Sequence, residues 1–285
     1  MNFVNRLNHA IAEFVTRPEN LVLKPATGSY STPFRGGLFG EHKASKVQKA
    51  LRHNPGPVLM LGSNPNCPSS IRFIESGADG QGDWPGFVRQ MESDEFGHLE
   101  FDPGGNSTRW DPLHNPASAG RGTFGWRFYA DILEVSLGTL DSVALANIYP
   151  WGSGDFDTIK RSIENCSGAD KKLYERTIEF AQSQLSIMLR ALQPRLIVAP
   201  KSLVRNRISE RLSIAPKNLT ECREVVLRPT SGRTFRLFAG TLEGNHPLPV
   251  LITNHPSSLR YVAKIDHPAL HTQLAAMVSK HLDAR

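Results

Sequence analysis

Three short stretches concentrate side chains that can hold a water or donate a hydrogen bond to developing negative charge. The first is Gly62-Ser63-Asn64-Pro65-Asn66, the second ends an apolar run at Asn147, and the third is His255-Pro256-Ser257-Ser258-Leu259-Arg260. An asparagine amide is both donor and acceptor but no strong general base, so it can position a water without deprotonating it. A neutral imidazole can donate to an oxygen that gains charge, an effect worth roughly 3 kcal/mol when the donor is preorganised. Each residue also has a plain structural use. Asparagine before proline is common in turns. A histidine after a strand can cap or pack, Asn147 can close a strand, Tyr149 and Leu259 can join a core, and Arg260 can face solvent.

The elements that must carry these stretches follow from apolar patterning. Continuous apolar runs at 57–62, 143–148, 195–199 and 249–253 predict buried strands, with two more strands at 224–228 and 234–241. Helical spacing or composition predicts helices at 2–16, 43–53, 125–138, 169–192, 202–213 and 267–283. Strands alternating with helices imply a three-layer α/β/α sandwich around a central, mostly parallel sheet. In such sheets ligands bind beyond the carboxyl ends of the strands, so the loops 62–68, 147–154 and 254–260 are expected to converge on one edge. Residues 63–120 lack apolar periodicity yet carry Trp84, Phe87, Phe96, Phe101 and Trp110, which argues for a functional insertion and against disorder.

With 285 residues, 39% of them hydrophobic and 21% charged, the chain can bury a sizeable core. One enlarged α/β domain over 1–285 is expected, with a helical extension at 1–50 and an insertion at 66–120. No apolar run approaches the ~20 residues of a membrane span, and no secretory leader is expected. Cys67, Cys166 and Cys222 form no CxxC pair and are too few for a four-cysteine cluster, which points to a reduced, cytoplasmic setting without metal or other cofactor. The net charge of +6 favours phosphate backbones. The GxGxxG pattern at 120–125 follows no credible strand, as a dinucleotide fingerprint would require. His267 and His271 sit four apart on a helix without a nearby acidic ligand.

Taken together and in this order, the three stretches resemble the uracil-DNA glycosylase superfamily. Gly62-Ser63-Asn64-Pro65-Asn66 is similar to the GINPG motif of its mismatch-specific branch, Leu145-Ala146-Asn147 to the strand ending in asparagine, and His255-Pro256-Ser257 to the HPS-type last motif. The resemblance covers roughly 57–65, 143–151 and 194–260. It implies a monofunctional glycosylase that leaves an abasic site, with double- or single-stranded DNA as its partner, acting as a monomer. On that resemblance Asn64 would orient the water and His255 would donate to the base's 2-carbonyl oxygen. Gly62, Ser63, Asn66, Asn147 and Tyr149 would line the base pocket, with Asn147 reading the base edge. Ser257, Ser258 and Arg260 would meet phosphates, and Leu259 would fill the gap left by a flipped base. Asn66 stands where the uracil-specific branch has a tyrosine plug, so a 5-modified pyrimidine such as hydroxymethylated or glucosylated cytosine of phage DNA is the expected substrate. A uracil or thymine mismatch enzyme and a catalytically silent DNA-binding relative are the alternatives.

Overall fold

The computed structural model describes residues 2–20, 38–39, 41, 43–54, 56–62, 98–101, 107–110, 124–148, 172–200, 218–227, 235–243, 247–254, 262 and 264–283. Among them the elements run α1 (Phe3–Thr16), α2 (Ala44–Ala50), β1 (Val58–Gly62), β2 (His98–Phe101), β3 (Ser107–Trp110), α3 (Phe124–Leu137) and β4 (Val143–Asn147). They continue with α4 (Leu173–Leu192), β5 (Leu196–Pro200), β6 (Leu219–Leu227), β7 (Phe235–Leu242), β8 (Leu248–Thr253) and α5 (His267–Asp283). The helix expected at 202–213 lies outside the described residues.

Six strands form one sheet in the order β4-β1-β5-β8-β7-β6. The pairs β1–β4, β1–β5 and β5–β8 are parallel, whereas β7 runs antiparallel to β8 and β6 to β7. The parallel strands are apolar throughout because helices cover both faces: every residue of β1 and β4 is buried. Side chains alternate between two cores. Leu59, Leu61, Ala144, Ala146, Ile197 and Ile252 join α1, α2 and α4 on one face. Val58, Met60, Val143, Leu145, Val198 and Leu251 join α3 and α5 on the other. This is the expected α/β/α layering around a mostly parallel sheet.

The N-terminal segment is built into that core. Phe3, Val4, Leu7, Ile11 and Phe14 on the apolar side of α1 are all buried, and the Asn2 carboxamide oxygen caps the helix by accepting from Asn5 N at 2.9 Å. At its far end the buried Asn20 donates from Nδ2 to the Phe14 carbonyl at 2.8 Å and accepts from Arg176 Nε at 3.1 Å. Phe14 stacks on Phe180 of α4 with centroids 4.2 Å apart. These contacts lock α1 and the turn after it, residues 2–20, to α4.

Two strand expectations are corrected. β2 and β3 form an antiparallel hairpin, pairing His98 with Trp110 and Phe101 with Ser107, inside the segment that shows no periodicity. β6 starts at Leu219, ahead of the expected 224; Thr220, Glu221 and Arg223 give its first residues no apolar alternation to read as a strand. A register shift between Thr220 and Arg223, with Glu221 at φ 52°, breaks that edge strand locally.

The close approach of α4's end to the start of β1 depends on Gly56. A methyl group there would overlap the Gln193 carbonyl oxygen, which is backbone and cannot turn away. The adjoining Arg195 N–H donates to the Pro57 carbonyl at 3.1 Å, so separation would also strain the β1–β5 ladder. Gly56→Ala is expected to destabilise the fold by about 3 kcal/mol, at the upper end of overpacking costs. Denaturant unfolding reads this; a change below about 0.5 kcal/mol would refute the close approach.

Candidate functional site

The parallel strands end level with one another. Gly62 pairs with Asn147, and Pro200 with Thr253. Gly62 and Pro200 each stand two residues beyond the Met60–Val198 pair that links their strands. The chain therefore leaves β1, β4, β5 and β8 from one edge, and the strand order reverses direction about β1, with β4 on one side and β5 on the other. That reversal is where a parallel sheet opens a crevice at its carboxyl edge. By alternation, Gly62, Asn147 and Thr253 fall on the face covered by α3 and α5, since Met60, Leu145 and Leu251 belong to that core.

Asn147 is 1% exposed, and among the described residues its Nδ2 has no hydrogen-bond partner. Its side chain lies across Gly62: a Cβ at residue 62 would sit 2.5 Å from Asn147 Oδ1. Glycine is thus the residue that lets the amide lie there. The backbone stays fixed, since the Ile148 N–H donates to the Gly62 carbonyl at 3.0 Å. A buried amide with unused donors costs on the order of 1–3 kcal/mol, and this one stands at the last residue of β4, beside the last residue of β1.

Three strand spacings away, about 14 Å across the sheet, β8 delivers the chain to His255. Here the anchor is Tyr129 of α3, buried at 4% exposure. Its hydroxyl donates to the Asn254 carbonyl at 2.9 Å. The Thr253 hydroxyl donates to the same oxygen at 3.1 Å. Two hydroxyls thus hold the peptide unit that immediately precedes His255. Burial raises the Tyr129 phenol well above its ordinary value, opposed by the smaller effect of the neighbouring Thr253 hydroxyl. Beside it, Phe128 meets His267 and His271 edge-on, with centroids 5.8 and 5.7 Å apart. The two histidines are half-buried packing partners that tie the start of α5 to α3.

Of the residues expected at the site, Gly62 and Asn147 are brought together as adjacent strand ends. Ser63, Asn64, Asn66, Tyr149, His255, Ser257, Ser258, Leu259 and Arg260 lie outside the described residues. Tyr129 and Thr253 do not stand out in the sequence. Their one signal is a tyrosine on the apolar face of an expected helix, where its hydroxyl requires a partner. Among the described residues no three histidine, cysteine or acidic side chains gather as a metal site, and no helix is long and apolar enough to cross a membrane. Comparison with protein-family models and with curated proteins finds no match.

Two outcomes follow from this geometry. Asn147→Leu keeps the branched outline but replaces the amide oxygen and nitrogen with larger methyl groups, so relief of the orphan amide, about 1–2 kcal/mol, should offset the overpacking and leave stability within about 1 kcal/mol of wild type in denaturant unfolding; a loss beyond about 3 kcal/mol would mean the amide is satisfied. Tyr129→Phe probes the anchor through pH. A buried phenol that stays neutral stabilises the fold below the ordinary value near 10, and that contribution is lost as pH rises above it, because only the unfolded phenol ionises there. Wild-type stability should therefore fall more steeply than that of Tyr129→Phe between about pH 9 and 11, and parallel curves would contradict the burial.

Proposed function

We propose that this chain is a monofunctional DNA glycosylase that hydrolyses the N-glycosidic bond of a flipped, 5-modified pyrimidine and leaves an abasic site. The observation that carries the proposal is the buried Asn147 amide, unpartnered at Nδ2 and laid over Gly62 at the carboxyl edge of the parallel sheet. An amide held that way offers its Nδ2 donor to the hydrogen-bonding edge of a base, and burial makes mismatched partners costly. It is one of the three motif positions of the glycosylase resemblance. The loops bearing the other two leave the same sheet edge.

In this mechanism the departing base takes negative charge as the sugar becomes oxocarbenium-like. His255, whose preceding carbonyl is clamped by Tyr129 and Thr253, donates to the base's carbonyl oxygen. Asn64, two residues beyond Gly62, orients the water by hydrogen bonding without removing its proton. Ser63, Asn66 and Tyr149 line the base, and the absence of an aromatic plug at Asn66 leaves space at the 5-position. Ser257, Ser258 and Arg260 hold phosphates while Leu259 occupies the vacated stack. Uracil-DNA glycosylase-like architecture and a place in antiviral defence or DNA repair belong to this same proposal.

The test is base release from duplexes carrying uracil, a thymine mismatch, hydroxymethylcytosine or glucosylated cytosine, scored as alkali-labile sites. Release is expected from a modified-cytosine duplex, with His255→Ala and Asn64→Ala each lowering the rate about 100-fold. Full activity in both variants would remove these residues from the mechanism. Binding without release from any duplex would leave a DNA-binding protein and no glycosylase.

A further inference from the structure

The chain's positive charge is not spread evenly. Between residues 21 and 67 there are six lysines and arginines and one acid, Glu41, so this short segment accounts for five of the six net positive charges. No aspartate or glutamate occurs between Glu41 and Glu75. The described part of the segment, α2 and the turn after it, presents Lys43, Lys46, Lys49 and Arg52 at intervals of three, all exposed. Lys46 pairs with Glu41 at 3.4 Å. Among the described residues, Lys43, Lys49 and Arg52 have no carboxylate partner.

We infer that this stripe is a second, sequence-independent binding surface for the phosphate backbone of duplex nucleic acid, separate from the carboxyl-edge site. Its dimensions suit that partner. At a rise of about 1.5 Å per residue, Lys43 and Lys49 stand roughly 9 Å apart along the helix, close to the roughly 10 Å of three axial steps along one strand at about 3.4 Å each. Its composition favours that partner over an anionic membrane or a single strand. A membrane-surface helix needs an apolar face to bury in lipid, but Ala44 and Val47 are fully buried in the protein core. A single-strand binder stacks bases on aromatic rings, and the described stripe, residues 43–54, carries no Phe, Tyr or Trp. Of the residues between the cations, Ala44, Val47 and Leu51 pack on the core while Ser45, Gln48 and Ala50 are small or polar, and His53 and Asn54 follow Arg52. α2 belongs to the α1/α2/α4 layer, whereas Tyr129 belongs to the α3/α5 layer, so the stripe and the β8 anchor lie on opposite faces of the sheet. A chain with both surfaces holds a duplex through charge at one place while its carboxyl edge engages a nucleotide at another.

The salt dependence of affinity for a short unmodified duplex tests this without any turnover. Lys43→Gln, Lys49→Gln and Arg52→Gln combined should make the slope of log affinity against log salt shallower by roughly 2 to 3, at about 0.9 for each phosphate no longer neutralised. Removing the same number of exposed charges elsewhere, with Arg190→Gln, Arg223→Gln and Lys280→Gln, should change it by less than about 1. Lys43→Arg with Lys49→Arg should retain the wild-type slope. The inference is overturned if the stripe variant keeps its slope, if both triple variants lose it equally, or if the wild type binds no duplex. It is also overturned if the stripe variant loses only single-stranded DNA or anionic phosphatidylserine vesicles. Because base release is read separately, an unchanged slope with intact release refutes the stripe and keeps the reaction. A changed slope with no release does the reverse.

Discussion

Everything in the molecule hangs on the hydrogen-bond ladder of β1, the strand that pairs in parallel with β4 on one side and β5 on the other. Parallel pairing sends every strand the same way, so the residues that follow four separate strands emerge together even though they are far apart along the chain. The register adds the second condition: Gly62 pairs with Asn147, and Pro200 with Thr253, so the strands stop at one level. A slip of one residue in the β1–β4 pairing would put Asn147 on the other face, into the core occupied by Ala146 and Ile148. The apolar residues flanking it on both strands oppose that slip, and so the two cores guard the placement of one amide.

That placement runs against stability. The interior of β4 is Val143-Ala144-Leu145-Ala146, and an amide with unused donors ends it. Gly62 carries a related cost, because glycine loses more backbone freedom on folding than any residue with a side chain. At the other end of the edge the arrangement is opposite in kind: the Asn254 carbonyl is satisfied twice, by Tyr129 and Thr253. One side of the edge keeps its hydrogen-bonding capacity open and the other uses it to immobilise the chain. Open hydrogen-bonding capacity at one end and an immobilised chain at the other divide the edge into a part that can receive a group and a part that holds still.

Where hydrophobic patterning dominates, the fold was legible in the sequence. The runs 57–62, 143–148 and 249–253 fall within a residue of β1, β4 and β8, and α5 spans the expected 267–283, because burial on both faces or on one helical stripe writes itself directly into residue type. The misses share a cause. β2 and β3 are short, and Thr220 to Arg223 of β6 are polar, so backbone pairing rather than apolar alternation defines these stretches. For the site, the motif residues Gly62 and Asn147 were legible, but their mutual contact was not, since it depends on the β1–β4 register. Tyr129 was invisible as a site residue for the same reason: its partner is a backbone carbonyl 125 positions away, and no local pattern encodes that.

The distribution of charge sharpens what the carboxyl edge can do. Outside residues 21–67 the chain is nearly neutral, at a net charge of +1, so formal charge spread over the rest of the chain contributes little attraction for phosphates. Helix ends act locally instead. Tyr129, in the second turn of α3, touches Asn254 at the end of β8, and Phe128 touches His267 and His271 in the first turns of α5. The N-terminal ends of α3 and α5 therefore both lie near that edge, each carrying roughly half a positive charge from its aligned peptide dipoles. Such a field acts within about one helical turn and favours charge that develops at a fixed point over charge on a passing polymer. Long-range attraction and short-range stabilisation are thus separated in space, the first on α2 and the second at the carboxyl edge. An edge of that kind can bind a weakly charged group tightly only after something else has brought it near.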